Sequence, residues 1–69
     1  MNKILIIDDE VQIRSLLARM LELEGYEVCQ AGDCKAAIKQ LEIQSPDVAL
    51  CEAKYNKRFV FKHNFYCFK

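Results

Sequence analysis

Two adjacent carboxylates, Asp8 and Asp9, with Glu10 behind them, stand where the apolar run Ile4-Leu5-Ile6-Ile7 ends and an amphipathic segment begins. Like charges this close disfavour each other's ionisation unless a cation or strong donors lie between them. A hard divalent ion such as Mg2+ takes one or two protein carboxylates and keeps several waters, so the pair reads as a candidate metal site. The competing account is structural, because acids at the start of a helix suit the positive end of its dipole. Glu52 closes another short apolar run, Val48-Ala49-Leu50-Cys51, and is a third acid in a similar setting. Whether these three do chemistry together depends on the elements that carry them.

Those elements are legible from periodicity. Lys3 to Ile7 is short, apolar and β-branched, which suits a strand buried on both faces of a parallel sheet. From Val11 to Glu24 the residues Ile13, Leu16, Leu17, Met20, Leu21 and Leu23 recur at three and four, predicting a helix that turns them toward a core. Gly25 supplies its stop. Tyr26 to Ala31 is compatible with a second strand, and Gly32-Asp33 breaks it with an N-cap for a second helix over about Cys34 to Ile43. That helix places Ala37, Ile38, Leu41 and Cys34 inward and Lys35, Lys39, Gln40 and Glu42 mostly outward. Ser45-Pro46-Asp47 ends it, and Val48 to Cys51 reads as a third buried strand.

The order βαβαβ with helical crossovers implies a parallel sheet with right-handed connections and spatial order 2-1-3. In such α/β sheets the ligand crevice lies at the carboxyl ends of the strands where the order reverses, between strands 1 and 3. Asp8 and Asp9 end strand 1 and Glu52 ends strand 3, so three carboxylates from separate segments are expected to converge. That convergence shifts the balance from helix capping toward a metal site.

Lys3-Ile4-Leu5-Ile6-Ile7-Asp8-Asp9-Glu10, Leu23-Glu24-Gly25-Tyr26-Glu27-Val28 and Ser45-Pro46-Asp47-Val48-Ala49-Leu50 resemble the receiver domain of bacterial two-component response regulators. The resemblance covers residues 2 to about 54 and implies one half of a flavodoxin-like, doubly wound fold. It also implies a phosphoacceptor switch. An Asp ending strand 3 takes a phosphoryl group from a sensor histidine kinase, and Mg2+ is held by that Asp and by the acid pair of strand 1. Asp8 and Asp9 match the pair, and Glu52 stands at the phosphoacceptor position, making Asp8, Asp9 and Glu52 the expected metal ligands. Glutamate keeps the charge but carries it one methylene, roughly 1.5 Å, further, and a misplacement of ~1 Å at a reacting centre can cost on the order of a hundredfold. Efficient phosphorylation of Glu52 is therefore not expected, and Mg2+ binding is expected to be weak.

The family's second half, including the strand-4 hydroxyl and the strand-5 lysine, has no counterpart in the sequence, and Lys54 does not replace that lysine. Residues 1 to 54 are expected to form a truncated receiver, with six basic residues against all ten acids. Residues 55 to 69 hold no acid, four basic residues and all four Phe, match no part of the family, and read as an unrelated basic-aromatic tail of the kind a frameshift produces. A strand covering the open edge of strand 3, with β-type content at Arg58 to Phe61, is the next reading. Nucleic-acid binding through Lys57, Arg58, Lys62 and Lys69 with stacking aromatics is the least favoured. An uncovered apolar edge would invite self-association.

The expected function is a receiver module of a two-component phosphorelay, able to dock on a histidine kinase through helix 1, whose docking face would include Arg14 and Arg19, although a plain solvated helix face is the preferred reading of those two residues. The alternatives are a non-functional remnant of an interrupted response-regulator reading frame, or a docking module that interferes with the kinase. An enzyme is not expected, because nucleophile, general base and crevice walls are lacking. Cys29, Cys34, Cys51 and Cys67 have no C-x-x-C spacing, and His63 is the lone imidazole, so neither zinc nor redox chemistry is indicated. Cys29 and Cys51 read as buried small hydrophobes. No apolar run approaches the ~18 to 20 residues of a membrane span, and the start is too short for a secretory signal, so the chain reads as cytoplasmic.

Overall fold

The computed structural model describes residues 2–52 and 64–68. Its elements run β1 (Lys3–Ile7), α1 (Val11–Leu23), β2 (Glu27–Ala31), α2 (Cys34–Gln44), β3 (Val48–Glu52) and β4 (Asn64–Phe68). All pairings are parallel and the sheet order is β2-β1-β3-β4. The three strands and two helices read from the sequence are present, in the expected 2-1-3 order.

Alternation along the central strands divides the core in two. Leu5, Ile7, Ala49 and Cys51 lie on one face with Ala31, Ala37 and Leu41, while Ile4 and Ile6 lie on the other with Ala18, Leu17 and Leu21. β1 is covered by a helix on each face, and its four residues Ile4 to Ile7 are buried, as expected of a central parallel strand. Lys3 anchors the opposite end of the sheet. Its backbone N–H donates to Asp47 Oδ2 at 2.8 Å, its carbonyl accepts from the Asp47 N–H at 2.9 Å, and its ammonium pairs with Glu27 at 3.2 Å. These contacts fix the starts of β1, β2 and β3 in register, and thereby fix where the strands end.

Helix punctuation follows the local chemistry. Gly25 adopts φ +95°, and the N–H groups of Gly25 and Tyr26 donate to the carbonyls of Glu22 and Leu21, which closes α1 with a Schellman motif. Asp33 caps α2 by accepting from the Ala36 N–H at 2.7 Å. Ser45 takes the left-handed conformation at φ 46° ahead of Pro46 and ends α2.

Two expectations need correction. Leu16, Met20 and Leu23 do not face the core and are 60%, 54% and 80% exposed, and Ile38 is exposed as well. Among the described residues each sheet face carries one helix, so an apolar stripe wide enough for a flanking second helix is covered only along its inner edge. Gln40, expected outward, is half-buried, and its Oε1 lacks a hydrogen-bond partner among the described residues. The strand found beside β3 is Asn64–Phe68, whereas Arg58 to Phe61 lie outside the described residues. β4 occupies the β3 edge that an open three-stranded sheet would expose.

Candidate metal centre

The site forms where β1 and β3 stop. Their register pairs Ile7 with Cys51, so the residues that follow, Asp8 and Glu52, come out side by side. Asp8 N–H still donates to the Ala31 carbonyl at 3.1 Å, extending the β1–β2 ladder by one bond and holding the Asp8 backbone in line with the sheet. Beyond it the chain turns into α1. Asp8 Oδ1 accepts from the Glu10 N–H at 2.9 Å, a local side-chain bond that shapes this turn. Glu10 occupies the N-cap position of α1 without capping through its side chain.

Asp8, Asp9 and Glu52 are brought together. One carboxylate oxygen from each lies within 4.8 Å of the others. Asp8 is fully buried, Glu52 is half-buried and Asp9 is exposed, so the cluster runs from the sheet interior to the surface. Asp8 Oδ2 is buried and has no hydrogen-bond partner among the described residues. A buried carboxylate oxygen left unpaired beside two further acids is costly. Its cost is removed by a cation, and the oxygen donors suit a hard one. Ligands held at about 2.0 to 2.1 Å from Mg2+ span at most about 4.2 Å, so a cluster no wider than 4.8 Å needs only side-chain adjustment to enclose the ion.

Arg14, expected on a docking face, has a different position. It is half-buried, its Nη1 donates to the Asp8 carbonyl at 2.8 Å, and its Nε donates to Gln30 Oε1 at 3.1 Å. Arg19 is exposed. The inward reach of Arg14 was not read from the sequence. The available signal was its place in the second turn of α1, six residues after Asp8, together with a glycine after β2. Cys51 is buried and Cys29 is half-buried, its thiol lying 3.6 Å from the Ile4 carbonyl. Burial pushes the Cys29 thiol up from its ordinary value, against a smaller opposing pull from Lys3. Cys29 and Cys34 are free thiols. Lys54, Lys57, Arg58, Lys62, His63 and Lys69 lie outside the described residues. No helix among the described residues is long and apolar enough to cross a membrane.

Comparison with known proteins agrees with this geometry. The family model for the response regulator receiver domain matches residues 4–57. The transcriptional regulatory protein PdtaR of Mycobacterium tuberculosis is 40% identical over 58 residues, covering 83% of this chain and 28% of PdtaR. The alkaline phosphatase synthesis transcriptional regulatory protein PhoP of Bacillus subtilis is 40% identical over 56 residues, covering 81% of this chain and 23% of PhoP. The CAI-1 autoinducer sensor kinase/phosphatase CqsS of Vibrio cholerae is 42% identical over 51 residues, 74% of this chain and 7% of CqsS. Among solved structures, a response regulator receiver domain protein from Clostridium thermocellum superposes with TM-score 0.70 at 31% identity, covering 75% of this chain and 43% of that one. The chain thus spans about a quarter of the length of the curated regulators it matches. With a family match over most of its length and the strand order of a doubly wound sheet, it belongs to the response regulator receiver domain family.

Proposed function

We propose that this chain is a receiver module of a two-component phosphorelay that binds Mg2+ weakly through Asp8, Asp9 and Glu52, docks on a sensor histidine kinase, and is a poor phosphoacceptor. The observation that carries the reading is the acid cluster at the ends of β1 and β3, with Asp8 Oδ2 buried and lacking a hydrogen-bond partner among the described residues. Bound there, a divalent ion would neutralise the incoming oxygens of a phosphoryl group beside the carboxylates. The chain's own part is positional: the β1–β3 register sets Asp8 against Glu52, and the turn to α1 carries Asp9 to the rim.

Glu52 supports the poor-acceptor reading because its carboxylate sits one methylene further from the backbone than that of an aspartate. The test is phosphotransfer. A phosphorylated histidine kinase is incubated with the parent chain and with Glu52→Asp, and hydroxylamine-labile acyl phosphate is measured. The parent should gain little label and the variant at least tenfold more. Equal labelling of both, abolished by Glu52→Gln, would overturn the poor-acceptor reading.

For docking, the exposed face of α1 around Arg19, Leu16 and Met20 supports contact with a kinase. The same face supports interference with a full-length pathway by occupancy of that kinase. Self-association is proposed through the remaining outer edge of β2 rather than through β3, because β4 pairs with β3. The module acts by binding and does not turn over a substrate of its own, and its place is proposed to be the cytoplasm, where its kinase partner would be met.

A further inference from the structure

We infer that Arg14 is a positioning residue for the acid cluster, holding the Asp8 backbone so that the Asp8 carboxylate is aimed at Asp9 and Glu52, and that Gly32 is the space that admits it. The inference rests on the cation-site reading given above.

Three observations converge on this role. Arg14 Nη1 donates to the Asp8 carbonyl at 2.8 Å, a charge-assisted bond to the backbone of the one fully buried acid of the cluster. The Nε of the same guanidinium donates to Gln30 Oε1 at 3.1 Å, so the group bridges the end of β1 and the end of β2. A Cβ built at Gly32 would lie 3.0 Å from Nη1, closer than nine in ten real Cβ contacts, and the next nearest atom is Arg14 Cζ at 3.9 Å. The obstacle to a side chain at residue 32 is therefore Arg14. A planar guanidinium held by a bridging pair of bonds and a bare backbone leaves the Asp8 peptide little freedom, and Asp8 Oδ1 is tied to the Glu10 N–H in the same turn.

Arg14 also takes part in the charge balance without entering the cluster. Its bond is to the Asp8 carbonyl, not to the carboxylate, so the carboxylate oxygens stay available to a cation while the nearby positive charge offsets part of the acid repulsion. A partner that orients a ligand group from behind typically changes metal affinity by 10–100-fold when removed.

The test uses the full chain with Mg2+ as the probe. Arg14→Ala, Arg14→Lys, Gly32→Ala and the double variant Arg14→Ala/Gly32→Ala are compared with the parent for Mg2+ affinity by calorimetric titration. Amide exchange at Glu10, whose N–H is held by Asp8, is followed without metal. Arg14→Ala should weaken Mg2+ binding on the order of tenfold and speed exchange at Glu10 selectively, while amides in the middle of β1 keep their protection. Gly32→Ala should shift both readouts in the same direction, and Arg14→Lys should restore part of the loss. In the double variant Gly32→Ala should add nothing, because the group it displaces is gone. Parent-like affinity and exchange in Arg14→Ala would overturn the inference, and so would additive effects in the double variant. A parent that binds no Mg2+ but whose Glu10 exchange still follows this cycle refutes the cation reading and supports Arg14 as the support of the turn.

Discussion

Replacing Asp8 by asparagine separates two roles that the site gives one carboxylate. Asp8 is fully buried, its Oδ1 accepts from the Glu10 N–H, and its Oδ2 lacks a hydrogen-bond partner among the described residues. Carboxylate oxygens of Asp9 and Glu52 lie within 4.8 Å of it. At an effective dielectric of ~20, two unit charges that far apart repel by about 3.5 kcal/mol. Asp9 is exposed and its share is screened by water, so the net relief on neutralising Asp8 is about 1 to 2 kcal/mol. Asparagine keeps the side-chain shape and the Oδ1 acceptor, and it converts the unpaired oxygen into a donor facing the other two acids. In EDTA, Asp8→Asn should therefore melt higher than the parent, by about 4 to 8 °C per kcal/mol in a domain of this size. Mg2+ should reverse the comparison. At a hundred times its Kd, a ligand stabilises the folded state by about 2.7 kcal/mol, more than the relief in the variant, and that increment should be lost in Asp8→Asn. Calorimetric melts in EDTA and across a Mg2+ series at constant ionic strength read both effects. A variant that is less stable than the parent in EDTA and is stabilised by Mg2+ to the same extent would refute the reasoning.

Gly25→Ala should cost about 1 to 2 kcal/mol in urea unfolding, because φ is +95° and no described residue lies within 4 Å of an added Cβ, leaving backbone strain as the effect. Asp33→Ala should cost about 1 kcal/mol through the lost cap on the Ala36 N–H, with Asp33→Ser recovering most of it. Burial raises the Cys29 thiol from 9.0, so between 9.0 and the higher folded-state value the unfolded chain binds fewer protons than the folded one. Stability should then fall as pH rises through that range, and Cys29→Ala should make that alkaline decline shallower in urea titrations at stepped pH.

The sheet was legible because its signals are local and redundant. Ile4 to Ile7 and Val48 to Cys51 are short, continuously apolar runs that suit buried strands, the two helices between them call for parallel pairing, and the resemblance to receiver domains selects the 2-1-3 order that is found. The juxtaposition of Asp8 with Glu52 followed from that order alone. What periodicity could not give was how far the core extends. Leu16, Met20 and Leu23 repeat at helical spacing whether or not a neighbour covers them, and exposure is a property of the assembled layers. Arg14 was misread for a related reason, since a long basic side chain near a helix start can point outward or fold back on the strand ends. Only the gap over Gly32 decides between them, and that gap is made by tertiary structure. The strand at Asn64–Phe68 follows a segment whose composition differs from the rest, and its partner is chosen by the free edge of β3 rather than by its own pattern.

Paramagnetic mapping with Mn2+ in place of Mg2+ tests the central claim most directly. In amide-detected NMR of the full chain, substoichiometric Mn2+ should broaden Asp8, Asp9, Glu10 and Glu52 first. Lys3 and Asp47, at the other end of the strands, should be affected least, and excess Mg2+ should restore the lost signals. Broadening centred on the acids at Glu22, Glu24 and Glu27, or no selective loss at Asp8 and Glu52, would contradict a single cation site at the ends of β1 and β3.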